Sequence, residues 1–330
     1  MGHTSRKVPA AAEITGDGSI RTPKRKRTAP SFCCAVLPTE YQKNNNYACA
    51  LGACSGMHEK KHMQFALIDN ERIRPSSGLI ARCPACGGDM IAKCGQQRVH
   101  HWAHQGERDC DPWTEPETPW HRDWKNAFHP SCQEVILRAP SGEKHIADVR
   151  TGRGLTIEFQ HSHLRPDERA AREQFYKDMM WVVDGARLKR DLPRFLSGFR
   201  GFRTVLHKGL YITPNPQEVF PSDWLHCKAP VFFDFKDASG PGEQAKHARR
   251  LLWCLLPGRA LGHAVVLPVS REDFVLWAHT EPHPIRPEGI LTNIERVLAE
   301  HRRRTQLAAL VTRHPQGWRL RALRRRTGRF

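Results

Sequence analysis

At 330 residues and 39% hydrophobic content the chain has material for one large domain or two modest ones. Lys plus Arg number 52 against 34 Asp plus Glu, an excess of 18 positive charges. That excess points to a polyanionic partner, nucleic acid first, because cations bound to phosphate release condensed counterions. No run approaches the roughly 18 apolar residues of a membrane span, which excludes an integral membrane helix; the longest, "HAVVLPV", suits a buried strand. The start lacks an apolar h-region, so the eleven cysteines read as reduced thiols of a cytoplasmic protein, some of them on a metal.

Residues 1–62 have no steady period of 2 or 3.6 and carry the basic, proline-bearing "RTPKRKRTAP". They read as a disordered or non-native extension. Cys33, Cys34, Cys49 and Cys54 lack convincing metal-ligand spacing. "MQFALI" opens the first credible strand, and Met63 is an alternative start. Residues 63–112 form a small Cys/His unit.

The next segment, 113–280, reads as α/β. "TPWHRDWKNAF" places Trp120, Trp124 and Phe128 at helical spacing. "QEVILRA", "KHIADVR" and "LTIEFQH" are strand-like, with turns at "PSGE" and "TGRG". "RPDERAAREQFYKDMMW" predicts a helix with Ala171, Phe175, Met179 and Val182 near one face, and "WVV" a short strand after it. "VFFDF", "LLWCLL" and "HAVVLPV" extend the same domain. Residues 281–330 predict a helix, "TNIERVLAEHRRR", and an arginine-rich tail; the last thirty residues hold ten arginines and no carboxylate, as in a nucleic-acid-binding arm.

Alternate side chains of a strand share a face, so Asp148 lies with Ile146 and Arg150, and Glu158 with Thr156 and Gln160. A three-residue turn, Gly152-Arg153-Gly154, pairs Thr151 with Leu155 and sets Asp148 opposite Glu158. A four-residue turn separates them. Two adjacent carboxylates repel and call for a cation. Magnesium, or manganese in its place, suits such a pair, with waters and phosphate oxygens completing its shell, and it activates water for phosphodiester hydrolysis. Gln160 faces the same site and is placed to orient that water. The bland alternative is an edge hairpin with a solvated polar face. Glu134, in the preceding strand, is a candidate third acid or an exposed glutamate. His121 and Lys125, at i and i+4, reach one point as phosphate contacts or lie on a solvated helix edge.

"CPACGGDMIAKCGQQRVHHWAH" supplies Cys83, Cys86 and three histidines, His100, His101 and His104. Thiolate and imidazole are zinc ligands, and four of them close a structural site. The His100–His104 spacing fits the usual finger; Cys94 and Cys110 are possible substitutes.

"ADV…IEFQHS…REQFY…WVVDG", preceded by "WHRDWK" and "CPACGGDM…HHWAH", resembles the competence protein CoiA-like family over roughly residues 63–185. The resemblance implies a PD-(D/E)XK restriction-endonuclease-like mixed sheet flanked by helices, with Asp148 and Glu158 as metal-binding acids. It implies Cys83, Cys86, His101 and His104 as the zinc ligands. Gln160 falls where that nuclease fold usually has a lysine, and a neutral amide supplies no positive charge to a transition state. Arg172 and Tyr176, at i and i+4, match a Gln/Tyr spacing seen in one branch of the superfamily, which makes Arg172 the candidate for the missing charge. The ordinary alternative for Arg172 is an ion pair with Glu168. The implied role is handling incoming single-stranded DNA, with a recombination protein as a further implied partner; an inactive, nucleic-acid-binding version of the fold is the rival.

Overall fold

The computed structural model describes residues 62–313 apart from 107–109, 114, 116, 206–208 and 282–283. The expectations for the N-terminal extension with its four cysteines, and for the arginine-rich end beyond 313, lie outside the described residues.

Five short strands form the first sheet: β1 (Ala66–Ile68), β2 (Glu71–Ile73), β3 (Ile80–Arg82), β4 (Asp89–Lys93) and β5 (His101–His104). Their order is β2-β1-β3-β4-β5. Asp69 and Asn70 join β1 to β2 with φ of 48° and 64°. Two consecutive left-handed residues make the hairpin turn whose twist matches its strands, and Asp and Asn tolerate it.

A nine-stranded sheet follows, ordered β10-β11-β14-β13-β12-β9-β8-β7-β6. It begins after helix α1 (Pro119–Asn126) with an antiparallel meander of β6 (Gln133–Arg138), β7 (Lys144–Arg150) and β8 (Thr156–Gln160). Helix α2 (Pro166–Tyr176) crosses over to β9 (Met179–Asp184), parallel to β8. Next come α3 (Asp191–Phe199), β10 (Arg203–Val205), β11 (Leu210–Thr213), β12 (Val231–Asp234), α4 (Glu243–Arg250), β13 (Leu251–Leu255) and β14 (Ala264–Ser270). Helices α5 (Arg271–Thr280) and α6 (Pro287–Arg313) close the described chain.

Strands β9 and β12 pair in parallel and are buried along their whole length. Strands covered on both faces need continuous apolar runs, and "MMWVV" and "VFF" supply them. One face carries α1, α5 and α6 over Val149, Ile157, Phe159 and Phe232. The other carries α2, α3 and α4 over Trp181, Val183, Phe233 and Trp253. Ile294 of α6 is fully buried in the first of these cores, so the helix from 287 is part of the α/β domain at its near end rather than an appendage. The small sheet packs on the large one through Ile146 and Ile136.

Helix α1 forms as its sequence demands. Pro119 occupies the first turn, Thr118 Oγ1 accepts from the His121 amide, and Trp120, Trp124 and Phe128 are buried. Burying each of the three rings contributes about 1.5–3 kcal/mol or more.

Helix α2 departs from expectation. It stops at Tyr176, because Lys177 takes a φ of 59° and Met179 joins the ladder opposite Thr156. Met179 and Val182 are therefore strand residues. The expected apolar face is also wrong: Ala171 is exposed, while Arg169, Arg172, Glu173 and Tyr176 are buried. The helix turns a charged stripe inward, against acids on the sheet.

Candidate functional site

The "TGRG" turn is the three-residue form. The Thr151 amide donates to the Leu155 carbonyl at 2.9 Å, and Gly154 has a φ of 87°. Pairing of Val149 with Ile157 and Arg150 with Thr156 sets Asp148 opposite Glu158. Just there the two strands part, and carboxylates replace the ladder. The Asp148 amide donates to Glu158 Oε1 at 3.2 Å, and the Phe159 amide donates to Asp148 Oδ2 at 3.0 Å. The acids thus sit at a fork between β7 and β8.

Each carboxylate also meets a basic side chain. His121 Nε2 lies 2.9 Å from Asp148 Oδ2. Burial would lower the imidazole pKa, but the Asp148 charge and hydrogen bond outweigh it and raise the pKa above its ordinary value. Arg172 Nη1 donates to Glu158 Oε2 at 3.1 Å, while its Nε and Nη2 reach Glu168 at 3.1 and 2.5 Å. The guanidinium thus serves both the site and the helix-surface pair. Tyr176 is buried beside it, and burial followed by the Glu158 charge drives its pKa well up. Among the described residues, Tyr176 Oη and Gln160 Oε1 are buried without a hydrogen-bond partner, as is His121 Nδ1. Gln160 Nε2 turns instead to Ser162, 3.3 Å from both its carbonyl and its hydroxyl.

The raised pKa of His121 has a consequence for stability. A histidine charged more readily in the folded state stabilises fully below its unfolded pKa, about 6.5. That contribution is lost as pH rises through the folded value. Thermal stability is therefore expected to fall as pH rises above about 6.5 more steeply in wild type than in Asp148→Asn. Equal slopes would mean that the pair carries no charge.

Glu134 and Lys125 are corrections. Glu134, with a φ of 49°, directs its carboxylate to the small sheet and to Lys125. It accepts from the amides of Gln64 and Phe65 at 2.7 and 3.0 Å and from Lys125 Nζ at 2.7 Å. Lys125 also pairs with Glu117 at 2.8 Å, and Glu117 with Arg122 at 2.6 Å. Burial works against the Glu117 charge, but Lys125 and Arg122 outweigh it and hold the carboxyl at about 2. A buried ammonium must be paired, so Lys125 is an ionic bolt between the small sheet and the core rather than a phosphate contact. Glu134 is consumed in the same network.

The second cluster is Cys83, Cys86, His104 and Cys110, whose ligand atoms all lie within 4.8 Å of one another. It is the one group of three or more metal-type side chains so placed among the described residues. His101 is not in it. Its Nδ1 lies 2.8 Å from the Val99 carbonyl and its ring stacks on His62. The reason is strand parity: His101 and His104 are three apart in β5, so they face opposite ways. Cys110 completes the set, and Cys94 stays outside it. Sulfur and nitrogen donors suit zinc. The Ala85 and Gly88 amides, each 3.4 Å from a sulfur, stabilise thiolates at Cys83 and Cys86. Hydrogen bonding to Cys110 draws the Cys83 pKa down, and the same bond drives that of Cys110 up, so the close pair shares one proton when no metal binds.

Sequence reasoning missed Glu117 and also a His161–Asp184 pair at 2.7 Å. His161 directly follows the acid-bearing strand in "IEFQHS", but its partner lies two elements on and no local spacing announces it.

Comparison with known proteins bears on the same regions. The family described as "Competence protein CoiA, N-terminal domain" matches residues 81–112, the span that holds all four Cys/His ligands. Competence protein CoiA of Bacillus subtilis (strain 168) is 26% identical over 126 residues, covering 34% of this chain and 34% of that protein. The chain therefore matches about a third of the curated relative's length. No solved structure matches, and no described helix is long and apolar enough to cross a membrane. Residues 81–112 thus resemble the CoiA N-terminal domain, and about a third of the chain is similar to CoiA of Bacillus subtilis.

Proposed function

We propose that the protein is a cytoplasmic, metal-dependent nuclease of the PD-(D/E)XK type that acts on DNA in a competence-related role. The observation that carries this is the pair of acids at the β7–β8 fork, flanked by His121 and Arg172. The order helix, three antiparallel strands, helix, parallel strand supports the nuclease-like core. Likeness to a competence protein supports the role. Asp148 and Glu158 would hold magnesium, which takes one or two carboxylates together with waters and phosphate oxygens. The ion would polarise the phosphoryl group and activate water. Around it, Arg172 supplies the fixed positive charge that Gln160 lacks, and Gln160 offers an amide oxygen to orient a polar group. The Cys/His unit would hold zinc and fix the small sheet.

In labelled single- and double-stranded DNA assays with magnesium or manganese, Asp148→Ala and Glu158→Ala are each expected to lower cleavage at least about 100-fold. That is the scale of losing charge stabilisation at a reacting centre. Cleavage that survives both changes would refute the assignment. A second reading, an inactive fold that binds DNA or a recombination protein, is favoured by one observation: each acid is already hydrogen-bonded to a basic side chain, Asp148 to His121 and Glu158 to Arg172. It predicts retained binding with no cleavage in wild type.

A further inference from the structure

At the carboxyl ends of the parallel strands β8, β9 and β12 lies a cleft of about 240 Å³ that includes His161, Asp184, Arg187, Arg190 and Arg194 in its lining. Crevices at the carboxyl ends of parallel strands are where open α/β sheets take ligands. Its chemistry is organised. Asp184 is buried; one of its oxygens lies 2.7 Å from His161 Nδ1 and the other accepts from the Ala186 amide at 2.8 Å. A carboxylate fixed by a backbone amide holds the imidazole in one orientation, and the nitrogen left for a ligand is Nε2. The His161 amide is itself anchored to Glu115 at 2.8 Å, so the ring's backbone is set as well.

Arg187 and Arg190 are exposed, and Arg194 is half-buried with Asp191 3.6 Å away. Asp191 is buried and its Oδ1 is the atom that faces Arg194, so that guanidinium is partly answered. The guanidinium groups outnumber the acids left over from the His161 pair, so an anion is the favoured guest. The space admits one phosphate with its sugar and is too small for a double helix.

We propose that this cleft binds the terminal phosphate of a nucleic-acid strand, with His161, held by Asp184, and the arginines of the 187–194 segment as its contacts. The inference rests on the nucleic-acid reading above and adds to it a preference for strand ends.

The test uses the full chain, with no divalent ion added, and fluorescent single-stranded oligonucleotides ending in a 5′-phosphate, a 3′-phosphate or hydroxyls. Deoxynucleoside monophosphate serves as competitor, separating a bound end from a free-nucleotide site. One phosphorylated end is expected to bind about tenfold tighter than the hydroxyl end, the equivalent of one charge-assisted hydrogen bond. His161→Ala and the surface double change Arg187→Gln/Arg190→Gln should each abolish that preference, losing more affinity for the phosphorylated strand than for the hydroxyl strand. Equal binding of all three probes by wild type overturns the proposal, as does a preference that survives in the arginine variant. Failure to bind any strand would refute the nucleic-acid reading as well.

Discussion

Purified protein is expected to carry one zinc ion, and Cys83→Ser or Cys110→Ser to lose it, whereas His101→Ala keeps it. The geometry already matches the metal. Zn–S bonds of about 2.3 Å set tetrahedral sulfur–sulfur edges near 3.8 Å, and Cys83 Sγ lies 3.7 Å from Cys110 Sγ. Cys86 Sγ lies 3.3 Å from His104 Nε2, near the slightly shorter edge that a nitrogen ligand implies. Four ligands drawn from both ends of residues 83–110 staple a unit whose core is little more than Met63, Met90, Trp102 and their neighbours. A core that small supplies little stability. Structural zinc contributes an apparent 10–16 kcal/mol in finger peptides, roughly, so its loss should strongly destabilise the small sheet. Part of the effect will be spared, because Ile146 and the Glu134 carboxylate brace the unit from the core side. The expected signature is a separate, low-temperature unfolding transition in the Cys variants and in chelator-treated wild type. Elemental analysis finding full zinc in Cys110→Ser and none in His101→Ala would reverse the ligand assignment.

That assignment shows where sequence reasoning stops. The Cys83–Cys86 pair was legible because two ligands three apart in a tight turn form a local feature. The histidine choice was legible only in part: His104 belongs to the cluster, but His101, offered by the family likeness, is turned the other way by strand parity. Cys110 was visible only as a candidate, because nothing local says that a loop returns to a turn 27 residues earlier. In the α/β core the same division holds. The stripe of Trp120, Trp124 and Phe128 announced its helix, and two glycines in "TGRG" announced the register that joins Asp148 to Glu158. Helix α2 misled on both counts. Its length was overread because "MM" continues a helical pattern until the β8 ladder claims it. Its buried face was read only in part: Arg172 and Tyr176 were candidates for the site, while Arg169 and Glu173 were not expected inside. Glu158 of β8 draws Arg172 inward, and Trp181, whose Nε1 donates to Glu173 at 3.1 Å, draws Glu173. Such inward charge is a tertiary effect with no local period.

Arg172→Met is expected to destabilise the fold by about 3–5 kcal/mol, the scale of leaving one member of a buried ion pair alone. Both side chains are shielded here, at 6% and 4% exposure, so solvent screening relieves little of it. The same change removes the guanidinium from its place near Trp113 and Trp181, 5.5 and 6.0 Å from the ring centres. Glu158→Gln should cost less than Arg172→Met, because Glu168 still answers the arginine. Combining Arg172→Met with Glu158→Gln should recover part of the loss, since no charge is then stranded on either side. Magnesium makes the experiment bear on function. If the fork holds a divalent cation, added magnesium replaces the missing guanidinium charge and raises the melting temperature of Arg172→Met more than that of wild type, through preferential binding to the folded state. Asp148→Asn/Arg172→Met should not respond. An Arg172→Met protein indifferent to magnesium and manganese would mean that the acids are matched to protein cations alone. The nuclease assignment would then give way to a binding module built on the same fork.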